Sequence, residues 1–377
     1  MLISYMRSSS YSNFDFCEMQ YFMNYVLGIP RTTSKKAALG TSVHKVLECL
    51  AKIKGQFDRS ADKDISFYDK EFDVAIEINR DELLQPYTLT NAEVDAINKT
   101  RINKQTYKHE CQLSYGHTRY GVKLVEALIK LSSDHYSENW MPVDFKDMTN
   151  FVWMALDHNG GLFDPRRRMI VAAEPHFDFI IDKEWAKYNW TLPNGKKLSG
   201  KLGIKGTIDL ITRASEGIIE IVDWKTGQRL DWGSQEDNKV KTYADLCQDF
   251  QLMLYYYAAK RMYPQVKQII VTIFFIRDGG PFTVCFDDKT LEQVETKLRD
   301  RFNKIRDCVE PTMQDPNQLN FKCKYICDYF KMPSPDGKTN LCKYLNEQLP
   351  LVGIEEITNK YTNKGFSVGH YEAPGEA

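Results

Sequence analysis

The chain has 377 residues, of which 42% are hydrophobic, 27% charged and 12% aromatic. That length and composition suit one large globular domain or two to three modules, and they exclude collagenous, coiled-coil and wholly disordered chains. Fifty basic against 51 acidic residues leave a formal charge of −1, which does not exclude nucleic acid, because a carboxylate-rich metal site can offset a basic groove elsewhere. No apolar run reaches the roughly 18 to 20 residues that a membrane span needs. The start, MLISYMRSSSYSNFDF, has no apolar stretch behind a basic end, so a cytoplasmic protein without a secretory signal is expected. The nine cysteines are an odd number in a chain too long to be a disulfide scaffold. Cys49, Cys111, Cys247, Cys285 and Cys308 stand singly in apolar or helical contexts and read as reduced thiols.

In chain order, SNFDFCEMQYFMNYVLG (12–28) predicts a helix with Ser12 as N-cap and Gly28 at its end. TSVHKVLECLAKIK (41–54) predicts a second, with Val43, Val46, Leu47 and Leu50 on one face. From 55 to 165, stretches such as KEFDVAIEINRDELL and YGVKLVEALIKLSSDHY carry a helical period, so a helical insertion is expected. After 165, VAAEPHFDFIID, KLGIKGTIDLITR, GIIEIVDWKTG and QIIVTIFFIRDGG are strand-like. A helix, TYADLCQDFQLMLYYYAAKRMY, lies between the last two and ends before Pro264, and TLEQVETKLRDRFNKIRD follows. The order predicts an α/β fold with a central mixed sheet flanked by helices. The expected divisions are 1–54, 55–165, 166–310, an irregular cysteine-bearing stretch at 311–350, and a tail at 351–377 that frays from about 357.

The chemistry concentrates in GTIDLITRASEGIIEIVDWKTG, residues 206–227. Two strands joined by a turn at Ser215, Glu216 and Gly217 should pair as a hairpin. Asp209 and Asp223 fall among apolar strand residues, where a carboxylate is costly unless a cation compensates it. Asp223 and Lys225 are two apart on a strand and so share a face. Carboxylates holding Mg²⁺, beside a lysine, are the parts that metal-assisted phosphodiester hydrolysis requires. A lysine–aspartate ion pair at a strand end is the reading that the spacing alone leaves equally open.

These residues, with the helix bearing Gln251 and Tyr255, resemble the PD-(D/E)XK nuclease superfamily, and in particular its RecB-like branch. The third motif of that branch commonly reads D-aromatic-K-T-G, here Asp223 to Gly227. An upstream GxxxH motif is matched by Gly40 to His44, and an aromatic-rich start with a cysteine is matched by 12–28. The resemblance covers 10–55 and 170–345 in order and implies a restriction-endonuclease-like core. It implies Asp209, Asp223 and His44 as ligands of Mg²⁺ or Mn²⁺, Lys225 as the catalytic lysine, and Gln251 and Tyr255 as residues positioning DNA or the lysine. Glu174 matches an acidic position on the first core strand. Tyr255 to Tyr257 as an aromatic stripe packed on the sheet is the competing reading of that helix.

Cys323 and Cys327, with Cys342 and the remote Cys17, are closely placed soft ligands suited to zinc or an iron–sulfur cluster. RecB-like nucleases of the AddB type and CRISPR-adaptation nucleases are similar in layout, which implies a [4Fe–4S] cluster on these four. Three residues separate the first pair and fourteen precede Cys342, a wider spacing than in those families, so Cys308 competes for the fourth place and structural Zn²⁺ stands as the alternative. The activity implied is that of an exonuclease on DNA ends or single strands, with Tyr243, Tyr255, Arg229 and Trp232 as candidate contacts. A non-cleaving DNA-binding or structural subunit, and a restriction-type endonuclease, are the alternatives. The absence of GxxxxGK[ST] leaves any unwinding to a partner helicase or recombinase, an association that fits a bacterial or phage recombination or replication protein.

Overall fold

The computed structural model describes residues 1–31, 34–102, 112–138, 140–191, 195, 197–229, 240–278, 280–314 and 322–362. Cys111, Trp232 and the tail from 363 lie outside them. The chain forms two compact units. The smaller gathers Met1–Thr32, His176–Gly206 and Asp287–Ala377, and the larger Thr33–Pro175 and Thr207–Phe286.

A five-stranded sheet organises the larger unit: β1 (Met169–Ala173), β2 (Leu210–Ser215), β3 (Ile218–Lys225), β4 (Gln268–Phe275) and β5 (Gly280–Cys285). They lie side by side in sequence order. Only the β3–β4 pairing is parallel, with Asp223 opposite Ile273. The β2–β3 hairpin forms as expected, with Leu210 opposite Val222. The mixed sheet follows from the connections. The short connections β2–β3 and β4–β5 give antiparallel neighbours, β1 and β2 pair antiparallel across residues 174–209, which include His176–Gly206 of the smaller unit, and the one crossover carries a helix, α4 (Phe250–Met262).

Val222 and Trp224 pack with α1 (Lys35–Arg59), α2 (Val122–Tyr136) and α3 (Pro142–Asp157) in one core, where Val43, Val46, Leu47 and Leu50 are fully buried. Asp223, on the opposite face of the pleat, reaches Gln251 of α4. Helices therefore cover both faces of the sheet, and Tyr255, Tyr256 and Tyr257 are all buried within α4's packing.

Several elements differ from expectation. The segment 55–165 is mixed rather than helical. Asp64–Asp69 pairs with Val74–Asn79, and Pro86–Thr88 with Thr118–Tyr120. The alternating burial of Asp64–Asp69 is a strand period, and Asp73 turns the chain at φ 52°. The helix over 12–28 is divided into Ser8–Phe16, Glu18–Tyr21 and a π-turn at Phe22–Val26. Cys17 between the first two is extended, with φ −170°. TYADLCQDF… is likewise two helices, because Asp249 caps α4 by accepting the Gln251 N–H. Residues 357–362 are helical and end the stretch Leu341–Thr362, which is kinked at Gly353 (φ 80°), with Ile357 and Tyr361 buried.

VAAEPHFDFIID and KLGIKGTIDLITR are each broken in the middle. Pro175 has no N–H for a ladder, and Glu174 before it adopts φ 52°, so His176–Ile180 starts a separate strand in the smaller unit. Asp209 accordingly sits in a bend before β2 rather than within a strand. Among the described residues no helix is long and apolar enough to cross a membrane.

Candidate active site and cysteine cavity

The breaks at Glu174 and Asp209 fall beside each other. The Glu174 N–H donates to the Asp209 carbonyl at 3.0 Å, which turns both carboxylates to the same end of β1 and β2. The Trp224 N–H on β3 donates to Asp209 Oδ2 at 2.8 Å, so the carboxylate is oriented by a backbone amide. His44 arrives from α1, with Nδ1 3.3 Å from the same oxygen and its ring edge-on to Trp224. The approach of α1 depends on Gly40. A Cβ there would lie 2.9 Å from Thr226 Oγ1, directly after Lys225. Ligand atoms of His44, Glu174 and Asp209 all lie within 4.8 Å of one another. An imidazole and two carboxylates at that separation form a donor set that fits a divalent cation.

Asp223 is outside that triplet and is 1% exposed. Lys225 Nζ lies 2.7 Å from its Oδ2 and 3.0 Å from Oδ1. Gln251 Nε2 reaches Oδ1 at 3.4 Å and the Tyr255 hydroxyl at 2.8 Å. The site therefore joins residues 40–44, 174, 209, 223–226 and 251–255. Glu174, matched in sequence only to an acidic strand position, stands in the triplet, because the kink before Pro175 turns it there.

The electrostatics reflect crowded acids. Burial, then the Asp209 charge, pushes the Glu174 carboxyl up to about 7. Burial also raises Asp223, to about 6, with Lys225 opposing and Asp209 adding to the shift. For Asp209 burial acts upward, but His44 and Lys225 outweigh it and hold the carboxyl below the usual range. Burial would lower His44, yet Asp209 raises it overall. Lys225 is raised despite burial, by Asp223 and Asp209, so it remains an ammonium rather than a base. Compensation of clustered carboxylates by a cation is the state these shifts favour.

The other candidate contacts are engaged elsewhere. The Arg229 N–H donates to Asp278, its guanidinium donates to the Lys241 carbonyl, and it lies over the Phe282 ring. The Tyr243 hydroxyl donates to the Thr283 carbonyl.

In the smaller unit, Cys17, Cys323, Cys327 and Cys342 line one cavity with Phe16, Gln20, Met23, Met313 and Phe330. Cys308 is not among its lining residues. The extended Cys17 turns its Sγ inward, where it accepts the Gln20 N–H at 3.4 Å. Residues 312–314 are fastened to 16–19. The Thr312 N–H and hydroxyl donate to Glu18, the Met19 N–H to the Thr312 carbonyl, and Gln314 to the Phe16 carbonyl at 2.6 Å. Burial pushes the Cys342 thiol far up, with Cys17, Cys327 and Cys323 adding to it. Four buried thiols lining one cavity, beside Gln20, Gln314 and Lys322, are a soft donor set that suits a metal centre, whose positive charge would allow them to ionise.

A model of the PD-(D/E)XK nuclease superfamily matches residues 8–331, from the first helix to beyond Cys327. The chain belongs to the PD-(D/E)XK nuclease superfamily. Membership carries metal-dependent phosphodiester hydrolysis with it, and the mixed sheet with flanking helices is the restriction-endonuclease-like core. No curated protein sequence matches the chain.

Proposed function

We propose that this superfamily member is a Mg²⁺- or Mn²⁺-dependent deoxyribonuclease of the RecB-like branch, an exonuclease acting on DNA ends or single strands. The observation that carries the reading is the convergence of His44, Glu174 and Asp209 next to the Asp223–Lys225 pair. His44, Glu174, Asp209 and Asp223 are the residues that would hold the cation. What a divalent cation supplies in such a site is a water of lowered pKa and neutralisation of phosphate charge. Asp209 is fixed for that task by the Trp224 amide. Lys225, kept protonated by Asp223 and Asp209, presents a positive charge to the negative charge that develops on the phosphate. Gln251 ties Asp223 to Tyr255 and holds the carboxylate's orientation.

The cysteine cavity is read as the seat of a [4Fe–4S] cluster on Cys17, Cys323, Cys327 and Cys342, with structural Zn²⁺ as the alternative occupant. Its role is to staple residues near 17 to residues 323–342. A helicase or recombinase is the expected partner, since no phosphate-binding loop for ATP occurs in the sequence.

The test uses end-labelled single- and double-stranded DNA with the purified protein, with and without Mg²⁺. Progressive loss of the end label that EDTA stops and Mn²⁺ restores is expected. Asp223→Ala or Lys225→Ala should lower the rate by about 10² or more while metal-free DNA binding persists. Internal cuts would replace the exonuclease by an endonuclease. Undiminished cleavage by both variants would remove the site, and binding without cleavage by the wild type would favour a non-cleaving subunit.

A further inference from the structure

Lys241 is tied to the active end of the sheet by two separate routes. The backbone route is through Arg229. The Lys241 N–H donates to the Arg229 carbonyl at 2.9 Å, and the Arg229 guanidinium donates to the Lys241 carbonyl at 2.8 Å. The Arg229 N–H in turn donates to Asp278 Oδ2 at 2.6 Å. Asp278 is 3% exposed and closely follows Ile276, whose N–H donates to the Lys225 carbonyl. The side chain of Lys241 takes the other route. Its Nζ lies 2.6 Å from Asp249 Oδ2, Asp249 Oδ1 accepts the Gln251 N–H, and Gln251 Nε2 reaches Asp223. Lys225, Asp223, Gln251, Asp249 and Lys241 thus form one continuous line of contacts with an ammonium at each end.

The two ammonium groups are not equally committed. Lys225 Nζ spans both oxygens of Asp223. Among the described residues Lys241 meets one carboxylate, through one oxygen. An ammonium carries three donors, so two are left for other acceptors, and the Lys241 side chain is 30% exposed. Stability gives little reason for the pair, since partly exposed ion pairs contribute little and Asp249 caps α4 without help from a lysine. A nucleic-acid strand carries a negative charge at every nucleotide, so a strand with one phosphate at Lys225 offers the next to a cation on the same line. We propose that Lys241 is a second phosphate contact of the active site, binding the phosphate next to the one that is cleaved. This rests on DNA as the substrate of the site described above, and it assigns Lys241 to holding the strand, not to the bond-breaking step.

The experiment uses the full chain as wild type, Lys241→Ala, Lys241→Arg and Asp249→Asn. Affinity for a fluorescein-labelled single-stranded oligodeoxynucleotide is measured by anisotropy without divalent metal at several salt concentrations, and KM and kcat are measured with Mg²⁺. In Lys241→Ala the dissociation constant and KM should rise several-fold, with the larger change in KM than in kcat. The slope of log affinity against log salt should shrink by about 0.7, the share of one phosphate contact on a single strand. Lys241→Arg keeps the charge and should stay close to wild type. Asp249→Asn keeps a capping oxygen for the Gln251 N–H and releases the lysine from its carboxylate, so it should bind the oligonucleotide more tightly. That variant carries the test if Lys241→Ala does not fold. Unchanged KM and salt slope in Lys241→Ala, or Asp249→Asn binding no tighter than wild type, overturns the contact. A fall in kcat alone overturns it too, because Lys241 would then act through Asp249 on Asp223. A wild type that neither binds nor cuts DNA sinks the substrate reading, and this contact with it.

Discussion

Glycine inside a helix costs about 0.5–1 kcal/mol relative to alanine, so Gly40, in the first half of a 25-residue helix, calls for a compensating benefit. The benefit is the approach of Thr226 Oγ1 to the point where a Cβ would stand, 2.9 Å away. Gly40 and His44 are one helical turn apart, so the same close approach that admits Thr226 delivers the imidazole to Asp209. In Gly40→Ala, better helix propensity offsets part of an overpacking cost of about 1–3 kcal/mol, and the protein should stay folded. The metal concentration for half-maximal activity should rise several-fold as His44 withdraws, and adding Thr226→Ala should recover most of it. Metal titrations of the single and double variants decide this; a double variant as impaired as the single one would show that the contact is not the cause. Asp223 and Lys225 were legible as a pair because a period of two puts them on one face. Glu174 was legible only as an acid on a strand. Its place beside Asp209 arises from a positive φ before Pro175, and no local pattern announces which way such a kink turns a side chain.

At the scale of elements, the α4 crossover and the β2–β3 hairpin were readable because turn residues and β-branched runs mark them. The segment 55–165 has a helical period in its sequence because short strands such as Val74–Asn79 are interleaved with charges that also fit a helix. What fastens its pieces is non-local. Asp157, the last residue of α3, takes Arg101 at 2.7 Å, Arg119 at 2.8 Å and His117 at 3.1 Å, and Arg119 lies over the Trp153 ring. Three elements, the helix Asn91–Ile102, the strand Thr118–Tyr120 and α3, thereby meet on one buried carboxylate. Burial alone would push that carboxyl up, but His117, Arg119 and Arg101 pull it down to about 2. A carboxyl with a folded pKa below its unfolded value of about 3.9 stabilises fully above the unfolded pKa, and that stabilisation is lost as pH falls from about 4 to 2. Asp157→Asn leaves buried cations uncompensated and should cost roughly 3–5 kcal/mol near neutral pH. Denaturant midpoints measured against pH should show the gap between wild type and variant closing over the same acid interval. A gap that stays constant to pH 2 would mean that the carboxylate's charge contributes nothing.

For the whole molecule, the chain leaves the smaller unit after its first segment, returns at His176, leaves again and comes back at Asp287. Such a unit closes long loops, and closing them costs conformational entropy that grows with the length enclosed. Hydrogen bonds between 16–19 and 312–314 offset part of that cost, but they are few and partly exposed to water. The metal proposed on Cys17 and the three later cysteines would add a cross-link between residues some three hundred apart in sequence, and its binding energy would become folding energy. Cys17→Ser removes a ligand from the early segment alone. It should release the metal, as should Ser at Cys323, Cys327 or Cys342, and lower the melting temperature of the anaerobic protein. Because the cross-link joins two named segments, the loss should also be local. Hydrogen exchange should accelerate first in 8–26 and 322–346, before the five-stranded sheet of the larger unit loses protection. Cys308→Ser, with a thiol outside the cavity, should keep metal and melting temperature unchanged. Equal loss of protection in both units would assign the cysteines to general stability, and wild-type melting in Cys17→Ser would mean that the early segment is held by its hydrogen bonds alone.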